Sequence, residues 1–180
     1  MAGSDYEKDW ENPMRKPHVA KVVLNIGVGS GGTDMEPAMK LLTKLTGKSP
    51  VQTYSKHKIP AWGLRLGLPI GTKLTLRGNE AYDFLKRSLY AIENNIKEKS
   101  FDNQGNFTFG VEQYAFYEGV KYDPDIGTMG LQLSVTLERP GARVRSRKID
   151  KTKIGKNHLI GKEESIAYLK KEFNVNIEEE

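Results

Sequence analysis

The sequence predicts an α+β fold: a two-layer domain with a mainly antiparallel sheet, helices packed on one face, and long loops. Three observations predict it. Residues 129–138 alternate cleanly, with Leu131, Leu133, Val135 and Leu137 to one side and Gln132, Ser134, Thr136 and Glu138 to the other, the pattern of a strand with one wet face. Two stretches repeat apolar residues at helical spacing and supply the covering layer. The chain has 180 residues, a length that suits one domain.

The polar segment 1–17, with Pro13 and Pro17, is expected to be a mobile arm, ahead of a domain over 18–138 and a basic C-terminal extension over 139–180. Residues 18–26 (HVAKVVLNI) are rich in Val and Ile and read as a strand. The glycine run after it must turn. Thr33 or Asp34 can cap a helix over 36–46, where Ala38, Leu41, Leu42 and Leu45 form one apolar face. Gly47 and Pro50 stop it. Residues 51–55 are a short strand candidate. Residues 56–71 carry Pro60, Gly63, Gly67, Pro69 and Gly71 with no clear period, and read as a long exposed loop. Residues 72–77 alternate as a strand, with Leu74 and Leu76 opposite Lys73, Thr75 and Arg77. Asn79 can cap a helix over 79–97, striped by Tyr82, Leu85, Leu89, Ile92 and Ile96. A turn at 101–110 leads into an extended aromatic stretch over 111–120. A last helix is expected over 162–173, with Glu163 and Glu164 in its first turn, where the helix dipole favours them.

Composition removes several function classes. There is no cysteine, hence no disulfide framework, thiolate nucleophile or Cys zinc site. His18, His57 and His158 are scattered, so no metal is expected. No stretch approaches the roughly 18 apolar residues of a spanning helix, and the N-terminus lacks a signal-peptide core. The expectation is a soluble intracellular protein with no membrane partner.

Charge is sorted into patches. Residues 37–79 contain no Asp or Glu but eight bases: Lys40, Lys44, Lys48, Lys56, Lys58, Arg65, Lys73 and Arg77. Residues 139–158 hold eight Lys/Arg against Asp150 alone. Together these blocks carry +15 in a chain whose total is +5. Two basic patches beside acidic flanks suit a polyanion, above all nucleic acid. The bland alternative is a solvated basic face.

Motifs for small ligands do not hold up. Gly27, Gly29 and Gly32 match G-x-G-x-x-G in form, but the region where a ribose-holding acid belongs, 51–58, has none, and none appears from there until Glu80. Small residues there let a backbone approach phosphate, or simply make a flexible turn. Gly47-Lys48-Ser49 lacks the earlier glycine of a P-loop. Asp102 to Asn106 lacks the later calcium-binding Glu and reads as a turn. Asp123 and Asp125 read as solvated loop charges. With no catalytic constellation, no cofactor and no small-molecule substrate are expected. In loop 56–71, Lys56, Lys58 and Arg65 sit among His57 and Trp62, near Tyr54. Cations beside flat rings suit RNA; the alternative folds Trp62 back as a local core. In Arg143, Arg145, Arg147 and Lys148 the bases alternate as along a strand or extended arm, laying cations on one phosphate backbone.

Three motifs in order resemble the large-subunit ribosomal protein "five" family, which binds 5S rRNA. They are Val22-Val23-Leu24-Asn25-Ile26-Gly27-Val28-Gly29, then Pro69-Ile70-Gly71-Thr72-Lys73-Leu74-Thr75-Leu76-Arg77-Gly78, then Phe101-Asp102-Asn103-Gln104-Gly105-Asn106-Phe107 followed by Gly110-Val111. The Arg-rich C-terminal part resembles the archaeal and eukaryotic branch, and its modest length the archaeal one. The resemblance implies a structural, non-enzymatic constituent of the cytoplasmic ribosome, with long RNA-binding loops. Its implied partners are 5S rRNA, large-subunit rRNA, a neighbouring 5S-binding ribosomal protein in the central protuberance, and P-site tRNA. Asn25 and Thr75 would be hydrogen-bonding contacts to 5S rRNA, with Gly27, Gly29, Lys40, Lys44, Lys48, Arg77, Arg143, Arg145, Arg147 and Lys148 completing the rRNA set. Lys48 stands where bacterial members often have Gln. Loop 56–71, with Lys56, His57, Lys58, Trp62 and Arg65, would face the tRNA, although Ala61-Trp62-Gly63 departs from the small-x-x-Phe pattern common there. An RNA-modifying or dinucleotide-dependent enzyme, or a generic RNA chaperone, are the alternatives.

Overall fold

The computed structural model describes residues 6, 9–29 and 35–178. Strands β1 (His18–Gly27), β2 (Val51–Tyr54), β3 (Pro69–Leu76), β5 (Phe107–Val111) and β6 (Leu131–Glu138) form a five-stranded antiparallel sheet in the order β2-β3-β1-β6-β5. Short strands β4 (Asn95–Lys97) and β7 (Asn176–Glu178) pair in parallel. Helices α1 (Met35–Thr46), α2 (Asn79–Ala91), the single turn α3 (Arg143–Ser146) and α4 (Lys162–Phe173) complete the α+β architecture among the described residues. The chain divides into two compact units, one of residues 23–76 and 109–134, the other of residues 1–22, 77–108 and 135–180.

In the unit of 23–76 and 109–134, α1 buries the predicted face of Ala38, Leu41, Leu42 and Leu45. Each fully buried leucine is worth about 1.5–3 kcal/mol. Gln52 of β2 donates through Nε2 to Met39 Sδ of α1 at 3.3 Å, so α1 covers the sheet side that bears Gln52. The cap candidates Thr33 and Asp34 lie outside the described residues. β3 starts at Pro69, three residues before the expected 72, because Tyr54 pairs with Pro69 and Thr53 with Gly71. Gly71 is required by close approach: a Cβ there would stand 2.6 Å from the Ile26 carbonyl oxygen. Gly71→Ala is therefore expected to cost about 1–3 kcal/mol as overpacking against backbone. Gly110, where a Cβ meets nothing within 4 Å, is the control, expected to tolerate alanine within about 0.5 kcal/mol. Urea unfolding of both variants checks this, and equal midpoints would refute it.

In the unit of 1–22, 77–108 and 135–180, α2 begins with Asn79 as its first helical residue, and Gly78 takes the cap position expected of Asn79. The helix ends six residues before the expected 97. Glu93 and Asn94 both take left-handed conformations, at φ 56 and 57, which no helix continues through. Ile96 is still buried, as the apolar sequence stripe requires, but as the centre of β4 opposite Ile177. α4 matches its expected bounds, with Asn174 as a left-handed C-cap. Part of the segment expected to be a mobile arm is docked: Trp10 lies edge-on to Tyr168 at 6.2 Å, and Lys16 pairs with Glu172 at 3.0 Å. The stretch 111–120 is not a continuous strand. β5 ends at Val111 and a 3₁₀ turn follows at Tyr114–Phe116.

Candidate nucleic-acid interface

The sheet supplies an open face by strict alternation. On β1, Val22, Leu24 and Ile26 are buried, which turns Asn25 to the other side, half-buried. On β3, Leu74 and Leu76 are buried while Lys73 and Thr75 are exposed. Val51 pairs with Lys73 across the strands, so both lie on the side opposite Gln52 and α1. This open side therefore carries Asn25, Lys73 and Thr75, with Gly27 and Gly29 exposed where β1 runs out. Gly29 sits at φ 73, a conformation that favours glycine. Among the described residues no carboxylate pairs with Lys73. Lys73 is a candidate that sequence reasoning passed over, although its place two residues before Thr75 was the signal for it. Gly32, the last glycine of the run, lies outside the described residues.

The lysines of α1 belong to a different surface. Because α1 covers the side bearing Gln52, Lys40 and Lys44 are not brought together with Asn25 and Thr75; Lys48 is exposed in the bend that follows the helix. Lys44 Nζ also stands 2.9 Å from Asp123 Oδ2. The solvated-charge reading of Asp123 is thereby corrected: it is an ion-pair partner fixed in place. The Tyr114 hydroxyl accepts from Asp123 N at 2.8 Å and Asp123 Oδ1 accepts from Asp125 N at 3.2 Å. The hydrogen bond from Lys44, helped by that from Asp125 N, holds the Asp123 carboxyl below the usual carboxylate range. A window free of acids in sequence is thus not free of them in space, and the Asp123 carboxylate competes with phosphate for Lys44.

Loop 56–71 has more order than its sequence suggests, and the expectation of an unstructured loop is corrected. Ser55 N donates to Leu68 O at 2.8 Å, Gly67 N to Ser55 O at 3.0 Å, and Ile59 and Leu64 exchange two bonds at 3.0 and 3.1 Å. The segment extends the β2–β3 hairpin. Its tip is a 3₁₀ turn over Pro60–Trp62, closed by Gly63 in the left-handed region. The sequence hides this ladder because few residues are buried on either side. Trp62 does not fold back: it is 69% exposed, as is most of Leu66. Lys56, His57, Lys58 and Arg65 are exposed as well, and among the described residues no carboxylate pairs with them. The hairpin presents the Trp62 ring at its tip, with the His57 imidazole, among exposed cations.

In the unit of 1–22, 77–108 and 135–180, Arg77 is exposed. The expected extended arm at Arg143, Arg145, Arg147 and Lys148 is instead the single turn α3, because Arg147 N bonds back to Arg143 O at 2.9 Å. Arg145 is held by Glu138 at 3.1 Å, and Arg147 Nε donates to Asp150 O at 2.8 Å. Arg143 and Lys148 remain exposed. Arg139, the first base of this block, is not at the surface. It is buried against Glu164 of α4, Nη2 to Oε1 at 2.6 Å, with the side chains 5% and 4% exposed.

Two family models match this chain. The one described as Ribosomal protein L5 matches residues 12–65, and the one that describes the C-terminus of the same ribosomal family matches residues 69–168. Proteins named large ribosomal subunit protein uL5 are similar over most of their length. The one from Nanoarchaeum equitans is 48% identical over 168 residues, 93% of this chain and 99% of the relative. The one from Sulfurisphaera tokodaii is 46% identical over 169 residues, 93% and 96%. The one from Methanosphaera stadtmanae is 44% identical over 167 residues, 93% and 99%.

Proposed function

The chain belongs to the ribosomal protein L5 family, in its archaeal form, and from that premise we propose that its open sheet face binds 5S rRNA while the β2–β3 hairpin tip reaches the P-site tRNA. Membership makes the protein a structural constituent of the large ribosomal subunit, associated with rRNA and without enzymatic activity. The finer assignment is supported by one observation above the rest: Asn25, Lys73 and Thr75 share a shallow side of the sheet that no described helix of their unit is seen to cover. Asn25 offers a donor and an acceptor, Thr75 both in one hydroxyl, and Lys73 a cation. Such a set hydrogen-bonds riboses and base edges while neutralising phosphate. The remaining cations, Arg77, Arg143 and Lys148 in the other unit, Lys40 on α1 and Lys48 just after it, would meet rRNA elsewhere. A neighbouring 5S-binding ribosomal protein would share the same RNA.

Salt dependence separates the two kinds of contact. Each neutralised phosphate contributes about −0.7 to −0.9 to the slope of log affinity against log salt. Asn25→Ala is expected to weaken binding to 5S rRNA by about 1–3 kcal/mol through a lost hydrogen bond, with the slope unchanged. Lys73→Ala should flatten the slope by about one phosphate. Filter or gel-shift titrations at several salt concentrations, against a size-matched control RNA, read both. An Asn25→Ala chain that binds 5S rRNA like its parent would remove the sheet face from the interface.

A further inference from the structure

We propose that a polar cavity over the β6 end of the unit 1–22, 77–108 and 135–180 is a pocket for one unpaired nucleotide of large-subunit rRNA. The cavity is half open to solvent and holds about 200 Å³. At roughly 30 Å³ per water molecule, that is space for a nucleobase and its sugar, and far more than a lone phosphate fills. Lys21, Gln104, Thr136, Arg139, His158 and Leu159 are among its lining residues.

The wall has the chemistry of a nucleotide and several of its groups are unoccupied. Among the described residues Lys21 has no carboxylate partner and the Gln104 amide no hydrogen bond, leaving one cation and one paired donor and acceptor. His158 Nε2 lies 3.0 Å from Pro140 O. A carbonyl only accepts, so in the neutral ring Nε2 carries the proton and Nδ1 is left as an acceptor. Arg139 stands behind the wall, its charge paired with Glu164 and its unpartnered Nε–H closed off from the cavity. Leu159 and Ile160 add apolar surface for a base face. The one carboxylate in the wall, Glu138, is neutralised by Arg145 at 3.1 Å. A cation, an amide and an apolar wall around a space of this size match the way single-stranded RNA is read, with the base splayed out and its edge hydrogen-bonded.

The pocket is held rather than incidental. The turn that carries Gln104 is closed by Asp102 N bonding to Asn106 O at 2.8 Å. At its centre Gly105 sits at φ +76, where a Cβ would stand 2.7 Å from Ile160 Cγ2. The turn therefore packs directly on the segment that follows His158, and the cavity exists because the C-terminal extension lies against it. The proposal rests on the family's association with rRNA and not on the 5S assignment of the sheet face.

The test uses the full chain. Titration with the four nucleoside 5′-monophosphates, with inorganic phosphate and with a hexaglutamate peptide is followed by NMR at the side-chain amides of Gln104 and Asn106. At least one nucleotide should shift both amides saturably, and phosphate and peptide should not. No shift with any nucleotide, or equal shifts with phosphate or peptide, overturns the pocket. Gln104 is exposed, so Gln104→Ala leaves the fold intact. It should lower affinity for large-subunit rRNA about tenfold, with an unchanged salt slope. Lys21→Ala should flatten that slope by about 0.7–0.9. Nucleotide shifts without a loss of rRNA affinity in Gln104→Ala would mean a site for free nucleotides and overturn the rRNA assignment. Asn25→Ala is the parallel arm: if it weakens 5S binding while Gln104→Ala changes nothing, the pocket alone fails, and the converse result removes the sheet face alone.

Discussion

Glu164→Ala should destabilise the folded chain by about 3–5 kcal/mol, the cost of leaving a buried charge without its partner. Glu164 Oε1 accepts from Arg139 Nη2 at 2.6 Å and from Trp10 Nε1 at 3.2 Å. Arg139 Nη1 in turn donates to Asn157 O at 3.1 Å. One carboxylate thus joins the N-terminal segment, the end of β6, the basic stretch and α4. Alanine removes the charge that Arg139 needs, where almost no solvent reaches it. Glu164→Gln keeps an acceptor for Trp10 and the shape of the side chain, and should fall between parent and alanine. The Arg139→Met, Glu164→Leu double variant removes both charges and should recover most of the loss, because a buried pair replaced by apolar groups of similar volume is often neutral. Lys162→Ala is the contrast. Its bond to Glu98 is as short, at 2.6 Å, but both side chains are a third or more exposed, so the loss should stay within about 1 kcal/mol. Urea unfolding ranks all four. A Glu164→Ala loss no larger than that of Lys162→Ala would mean that water reaches the Arg139 guanidinium.

That pair also shows where a sequence stops being readable. Periodicity identifies α1, α4 and β6 closely, because each buries one regular face and the regularity is written in the residues. Asn25 and Thr75 are singled out by the family resemblance, and the strand alternation of the structure puts them on one surface. Periodicity cannot show that Arg139, the first of eight bases in a polar block, is buried, because its partner lies 25 residues away on another element. The same long-range pairing hides Asp123 behind Lys44. Ile96 reads as part of the α2 stripe because strand and helix both bury it, and nothing local marks Glu93 and Asn94 as left-handed. The hairpin over 56–71 is hidden by its exposure: a ladder held by backbone bonds, with most side chains in solvent, leaves no apolar alternation to read. Its cations and ring are legible all the same, since composition survives where period does not.

Removing the ring at the hairpin tip is expected to separate tRNA from 5S rRNA. Trp62→Ala should cost about 1–3 kcal/mol in P-site tRNA retention on assembled ribosomes, the usual range for one base stacked on an aromatic side chain. It should leave the affinity of the free protein for 5S rRNA unchanged. The physical reason is placement. Asn25, Lys73 and Thr75 stand in the body of the sheet, whereas Trp62 stands in a 3₁₀ turn at the end of an extension whose stem is tied by backbone bonds such as Ile59 to Leu64. Gly63 in the left-handed region closes that turn, so the ring is held out before any RNA arrives and little ordering is left to be lost on binding. Lys58→Ala with Arg65→Ala should weaken the same contact through charge, and more so at low salt, where exposed cations act furthest. Trp62→Phe should hold the tRNA nearly as well as the parent, since stacking needs a flat face and no indole N–H. Toeprinting or filter retention of P-site tRNA, beside 5S rRNA titrations of the same variants, gives both readings. If Trp62→Ala loses 5S rRNA as well, the hairpin belongs to the rRNA interface. If it loses neither, an exposed ring among solvated cations is all that the tip is.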